Sequence, residues 1–123
     1  MELYYHLLRQ PIELKANHTF RPDSLLQEGF VHLSLSRQLE WVANTFLADV
    51  VCLWVMELDP GQLGDNVKFE DGGAGEQFPH LYGPIPHEAV MRQMPMGRDA
   101  AGAWRTPPQH AIPISGSFKK LPQ

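Results

Sequence analysis

One cysteine, Cys52, stands in the whole chain. A lone thiol forms no intramolecular disulfide, so the fold calls for no oxidising compartment. Set in the run Val50-Val51-Cys52-Leu53-Trp54-Val55-Met56, it reads as a small core residue. That run falls far short of the roughly 20 residues that span a bilayer. The opening Met1-Glu2-Leu3-Tyr4-Tyr5-His6 has no basic segment and no cleavage site of a secretory signal. The expectation is a cytoplasmic protein with no membrane contact. Basic residues are also scarce: 10 Lys and Arg face 14 Asp and Glu, for a net charge of −4. That excludes the broad basic face by which proteins hold duplex nucleic acid.

Several motifs are missing too. There is no Gly-x-x-x-x-Gly-Lys-Ser/Thr phosphate loop, no Gly-x-Gly-x-x-Gly, and no Gly-x-Ser-x-Gly elbow. No His-x-x-x-His and no cysteine pair offers a metal frame; His6, His32, His80 and a carboxylate would meet only through the tertiary fold. No metal is assigned.

What is present suits one domain. The 123 residues are 43% hydrophobic, enough for one core without staples. Residues 3–8 read as a strand with Leu3, Tyr5 and Leu7 on one face and Tyr4, His6 and Leu8 on the other. Pro11 suits the first turn of a short helix over residues 11–16. Residues 22–28 read as a helical turn closed by Gly29. The pivotal stretch is residues 30–35, a strand that puts Val31, Leu33 and Leu35 into a core and Phe30, His32 and Ser34 on the opposite face. Ser36 reads as the N-cap of an amphipathic helix over residues 37–47, with Leu39, Val42, Ala43 and Phe46 at helical spacing. Residues 50–58 read as a central strand buried on both faces, and residues 67–70 as a short strand. Residues 71–86 hold four glycines and three prolines, which argue against regular structure through most of the span. Its Phe78, Leu81, Tyr82 and Ile85 require it to pack down all the same. Residues 87–94 form a last strand, and residues 97–123 read as a flexible, Pro- and Gly-rich tail.

His6 and His32 form the first functional pair. Were their strands neighbours in register, the imidazoles would lie about 5–8 Å apart in one cleft. Glu70, Asp71, Glu76 and His80 form a second group, able to bring a carboxylate over the histidines for general-base or ribose-binding work. His18, His87 and His110 are assigned no role.

Four segments carry a resemblance: Tyr4-Tyr5-His6; Arg21-Pro22-Asp23-Ser24-Leu25 with Glu28-Gly29-Phe30-Val31-His32-Leu33-Ser34; Glu57-Leu58-Asp59-Pro60; and Phe78-Pro79-His80-Leu81-Tyr82-Gly83-Pro84-Ile85-Pro86. Together they resemble a small bacterial and plant domain family of unknown function over about residues 3–94. That family in turn looks like a minimal ADP-ribosyltransferase fold, closer to the RNA 2′-phosphotransferase branch with its two histidines. The resemblance implies one α+β domain over residues 1–96, with a mixed, split sheet and a few short helices around an NAD-binding cleft. It implies that His6 contacts a ribose and that His32, with Ser34, lines the nicotinamide pocket. Glu76 is the first choice for the late catalytic glutamate, stabilising an oxocarbenium-like ribose, and Glu70 the second. Arg9 and Arg21 are the phosphate-binding choices, and His80 and Tyr82 complete the nucleotide contacts. Leu7-Leu8 replaces the Gly-Thr that usually follows the first histidine.

Binding of NAD or an ADP-ribose-like nucleotide, with transferase or hydrolase activity, is therefore the leading expectation. A non-catalytic small-molecule binding or interaction domain is the alternative, and a metal-dependent hydrolase the second alternative.

Overall fold

The structure, a computed structural model, describes residues 2–73 and 75–106. It begins with β1 (Tyr4–Leu8) and the two-residue β2 (Thr19–Phe20). Helix α1 (Asp23–Glu28) leads to β3 (Val31–His32), β4 (Ser34–Leu35) and helix α2 (Ser36–Phe46). Then follow β5 (Trp54–Leu58), β6 (Val67–Asp71), β7 (Gln77–Leu81), β8 (Ile85–Pro86) and β9 (Val90–Pro95). A small hairpin, β10 (Gly97–Arg98) and β11 (Trp104–Arg105), completes the described chain.

One sheet has the order β4-β1-β5-β9 and a second the order β3-β7-β6, with β2-β8 and β10-β11 as separate pairs. The α+β class, the split sheet and the short helices are as expected, but the mixed character is not. Every ladder among the described strands is antiparallel. The glycine cluster explains part of this: Gly73 and Gly75, both at positive φ, turn β6 back onto β7 as a hairpin. A parallel pair would need a long crossover instead.

The stretch over residues 30–35 is where the two sheets join. Its alternation is as read: Val31, Leu33 and Leu35 are all buried. It is not one strand, however. β3 pairs with β7 and β4 pairs with β1, so the chain changes sheets at Leu33. Leu33 N–H donates to the Pro79 carbonyl at 3.0 Å. Pro79 has no N–H to return, so the β7 ladder ends there and the strand is released to β1.

The four-stranded sheet is covered on both sides. On one side Leu8, Met56 and Leu58 pack with Val31, Leu33 and Leu81 of the second sheet. On the other, Val55 and Met94 pack with Leu39 and Ala43 of α2 and with Trp104. Glu57 is buried in this sheet and is met by both Arg92 Nε at 2.9 Å and Nη2 at 3.1 Å.

Several local expectations need correction. Residues 11–16 form no helix. Gln93 instead clamps Ile12, accepting its N–H at 2.9 Å and donating to its carbonyl at 2.8 Å. Ser36 is the first helical residue and not the cap, because Gln38 Oε1 takes the Leu35 N–H at 2.9 Å. The central strand begins only at Trp54, opposite the end of β1, so Val51 and Cys52 are exposed and outside the core. Residues 71–86, expected to be irregular, contain β7, the central strand of its sheet.

Residues 97–106, expected within a flexible tail, form the docked β10-β11 hairpin. Trp104 is buried there; its Nε1 donates to the Leu47 carbonyl at 2.9 Å, and Arg98 stacks 3.7 Å from its ring. The remainder of the expected tail, residues 107–123, lies outside the described residues. No helix of the described residues is long and apolar enough to cross a membrane.

Candidate functional site

Where the chain leaves the second sheet for the first, a cleft of about 630 Å³ opens between α1, α2 and one face of β7. His6, His32, Ser34 and His80 all line it. His6 comes from β1, on the face turned to the second sheet. His32 and His80 are cross-strand partners in the β3-β7 ladder, so their side chains share a face. Their ring centroids are 5.6 Å apart. Phe30, two residues before His32 and therefore on the same face, stacks on His80 at 4.1 Å and meets His32 edge-on at 4.8 Å.

Each of these two imidazoles is paired with a carboxylate. His80 Nδ1–H donates to Glu70 Oε1 at 2.8 Å, and the Tyr82 hydroxyl donates to the same oxygen at 2.6 Å. The Tyr82 bond foremost, with the His80 bond second, holds the Glu70 carboxyl below its ordinary range. The same carboxylate pushes the Tyr82 phenol up. A carboxylate only accepts, so His80 carries its proton on Nδ1 and, when neutral, a lone pair on Nε2. His32 Nε2 meets Glu28 Oε1 at 3.1 Å, in an exposed pair four residues apart.

His6 is different. Its Nδ1–H donates to the His32 backbone carbonyl at 2.9 Å. Burial, reinforced by the nearby His32, lowers its pKa to about 4 against the pull of that hydrogen bond. His6 is thus uncharged at neutral pH. Its Nε2 is a free acceptor, without a protein partner and not enclosed.

The structure brings His6, His32, Ser34 and His80 together and places Tyr82 behind His80. The route differs from the expected one: β1 and β3 are not sheet neighbours, and the two histidines meet through the His6 side chain and the His32 backbone. Ser34 is buried in the wall, and neither histidine bonds its hydroxyl. Glu76 does not reach the cleft. Its Oε1 accepts from Arg37 Nη1 at 2.6 Å and from Gln38 Nε2 at 2.7 Å, tying the hairpin loop to the start of α2. Those partners, Gln38 first, hold its carboxyl below the ordinary range. Arg9 lies at a separate hollow beside residues 45–52, and Arg21 is exposed outside the cleft. Among the described residues, no group of three or more His, Cys, Asp or Glu is placed to hold a metal ion.

Sequence reasoning placed Phe30 on the His32 face, ranked Glu70 second and missed Glu28 as a member of the site. One signal was available: Glu28 and His32 are four residues apart across a helix end. Also missed was an aromatic cluster in the cleft lining, Trp41 and Phe46 of α2 with Phe78 of β7. The helical spacing marks Phe46 as part of the apolar stripe of α2, and Trp41 lies off the centre of that stripe.

A family model described as "Protein of unknown function (DUF952)" matches residues 8–93. The X-ray crystal structure of protein CC0527 from Caulobacter crescentus is 26% identical, with a TM-score of 0.66 over 84% of this chain and 93% of that one. The solution NMR structure of CC0527 is 25% identical, with a TM-score of 0.61 over 94% and 95%. No curated protein matches the chain. The likeness supports the small α+β domain with its several antiparallel sheets.

Proposed function

The chain belongs to the DUF952 family, and we propose that its cleft binds a nucleotide-like small molecule, NAD or an ADP-ribose derivative, and transfers a group from it by acid–base catalysis. One observation carries this reading. Two carboxylate–imidazole dyads, Glu70–His80 and Glu28–His32, stand with their rings 5.6 Å apart against a shared phenylalanine.

The roles follow from the environments. Glu70 fixes the His80 tautomer and stabilises the imidazolium that forms when Nε2 takes a proton from an attacking water or hydroxyl. The oxygen of that group bonds to the transferred centre as the bond to the leaving group breaks. From NAD the nicotinamide leaves neutral, its ring nitrogen taking the electron pair of the broken bond, and His80 then releases its proton to water; His32, held by Glu28, lines the ring pocket. His6 stays neutral and accepts a hydrogen bond from a ligand hydroxyl or amide through Nε2. The residues fit the ring and ribose of such a ligand. Among the described residues, no Lys or Arg lines the cleft to meet a diphosphate, which would project beyond these residues.

His80→Gln is expected to lower turnover of NAD or ADP-ribose by about 10²-fold or more, with affinity by calorimetry changed by a small factor only. Unchanged turnover would remove His80 from the chemistry. The absence of cations from the lining favours a second reading, a binding domain without chemistry. Saturable ADP-ribose binding with no turnover in either wild type or His80→Gln would establish that reading in place of the first.

A further inference from the structure

The cleft has two unlike walls, and the imidazoles account for only one. On the other, Trp41 of α2 meets Phe46 edge-on at 5.7 Å and lies 6.0 Å from Phe78 of β7. Phe46 is 63% exposed and Trp41 42%. Large rings left uncovered side by side at the mouth of a cleft mark a surface built to be covered.

The charged residues that line the cleft, histidines aside, are acidic. Glu28, bonded to His32, and Asp71 line it and Glu70 stands directly behind His80, whereas no Lys or Arg is among the described lining residues. The nearby cations are engaged elsewhere. Arg37 is paired with Glu76, and Lys68 lies 5.1 Å from the Tyr82 ring. Asp71 uses Oδ1 to accept the Gly73 N–H at 2.9 Å, which leaves its other oxygen free for a ligand. Aromatic faces and carboxylates both attract a positive charge, and a cleft lined by them disfavours an anion.

We propose that the cleft selects a planar aromatic cation, with its ring stacked on Trp41 and its charge facing Glu28 and Asp71. This rests on the reading of the cleft as a ligand site, but not on the acid–base step. Any phosphate or carboxylate of a natural ligand then projects out of the cleft.

Three bicyclic probes of similar size but different charge test it: N-methylquinolinium, quinoline at pH 7.5, and quinoline-carboxylate. Each is titrated into the full chain while the Trp41 indole N–H and the His32 and His80 imidazoles are followed by NMR, the imidazoles alone serving in the Trp41 variants. The cation is expected to bind about tenfold more tightly than the neutral ring, and the anion least tightly. Trp41→Ala should erase the preference for the cation, and Trp41→Phe should keep most of it. Asp71→Asn, which retains the acceptor for Gly73, should narrow the gap between cation and anion. Equal affinities for the three probes, tightest binding of the anion, or an unchanged preference in Trp41→Ala would each overturn the proposal. So would a Trp41 signal that no probe moves. ADP-ribose run in the same series separates the two claims. Imidazole shifts with ADP-ribose, without any charge order among the probes, would sink the charge selection and leave the ligand site standing.

Discussion

His6 donates through Nδ1 to the His32 carbonyl, and burial holds its pKa at about 4 against an ordinary value of 6.5. Between those two values the unfolded chain binds a proton that the folded chain refuses. Stability contributed by the neutral ring is therefore complete above about pH 6.5 and is lost as the pH falls towards 4. His6→Asn keeps a donor for the carbonyl and removes the titration. Urea unfolding at pH 7 and pH 4.5 should show wild type losing more stability than the variant between the two values; equal losses would contradict the assignment. The residue scale is also where sequence reasoning stopped short. Glu70 and Glu76 are both acidic and both near His80 in the chain. Only the register of the β6-β7 hairpin, with Glu70 opposite Phe78, decides which of them reaches the imidazole.

At the scale of elements, α2 holds the site together through a residue that composition alone would place on the surface. Gln38 is buried; its Oε1 accepts the Leu35 N–H, and its Nε2 donates to Glu76 and to the Gln77 carbonyl at 2.8 Å. It thereby joins β4, the loop after β6 and the start of β7, which carries His80. Gln38→Ala removes all three bonds and leaves buried groups unpaired, at a cost of about 2–3 kcal/mol, measurable by denaturant unfolding. A cost near zero would mean that the loop is anchored by Arg37 alone. The alternation of residues 30–35 and the periodicity of α2 were legible because both follow from local geometry. The change of sheet at Leu33 was not, because it depends on a proline 46 residues away in sequence (33 to 79).

At the scale of the molecule, a four-stranded antiparallel sheet is sandwiched between a second sheet and a layer of α2 with the β10-β11 hairpin. The hairpin lies beyond the residues matched by the family model, yet it closes the core on that side. Asn44 clasps the Trp104 backbone, accepting its N–H at 2.7 Å and donating to its carbonyl at 3.1 Å. Trp104→Ala should therefore cost about 3–5 kcal/mol, as a core truncation does; a change within a few tenths would mean that the hairpin adds nothing to the fold. The Gly- and Ala-rich composition of residues 97–106 concealed this, since one buried ring outweighs the low propensity around it. The antiparallel topology was concealed for a similar reason. Strand order is set by contacts between distant segments, and no local pattern records it.

The most direct measurement of the central claim is the imidazole spectrum of the histidines, followed by two-dimensional carbon–proton NMR while ADP-ribose and then NAD are added to millimolar concentration. The account predicts saturable shifts at His6, His32 and His80 together, because all three line one cleft, with His18 and His87 unmoved. Shifts confined to His18 and His87, or three cleft imidazoles that never respond, would contradict it.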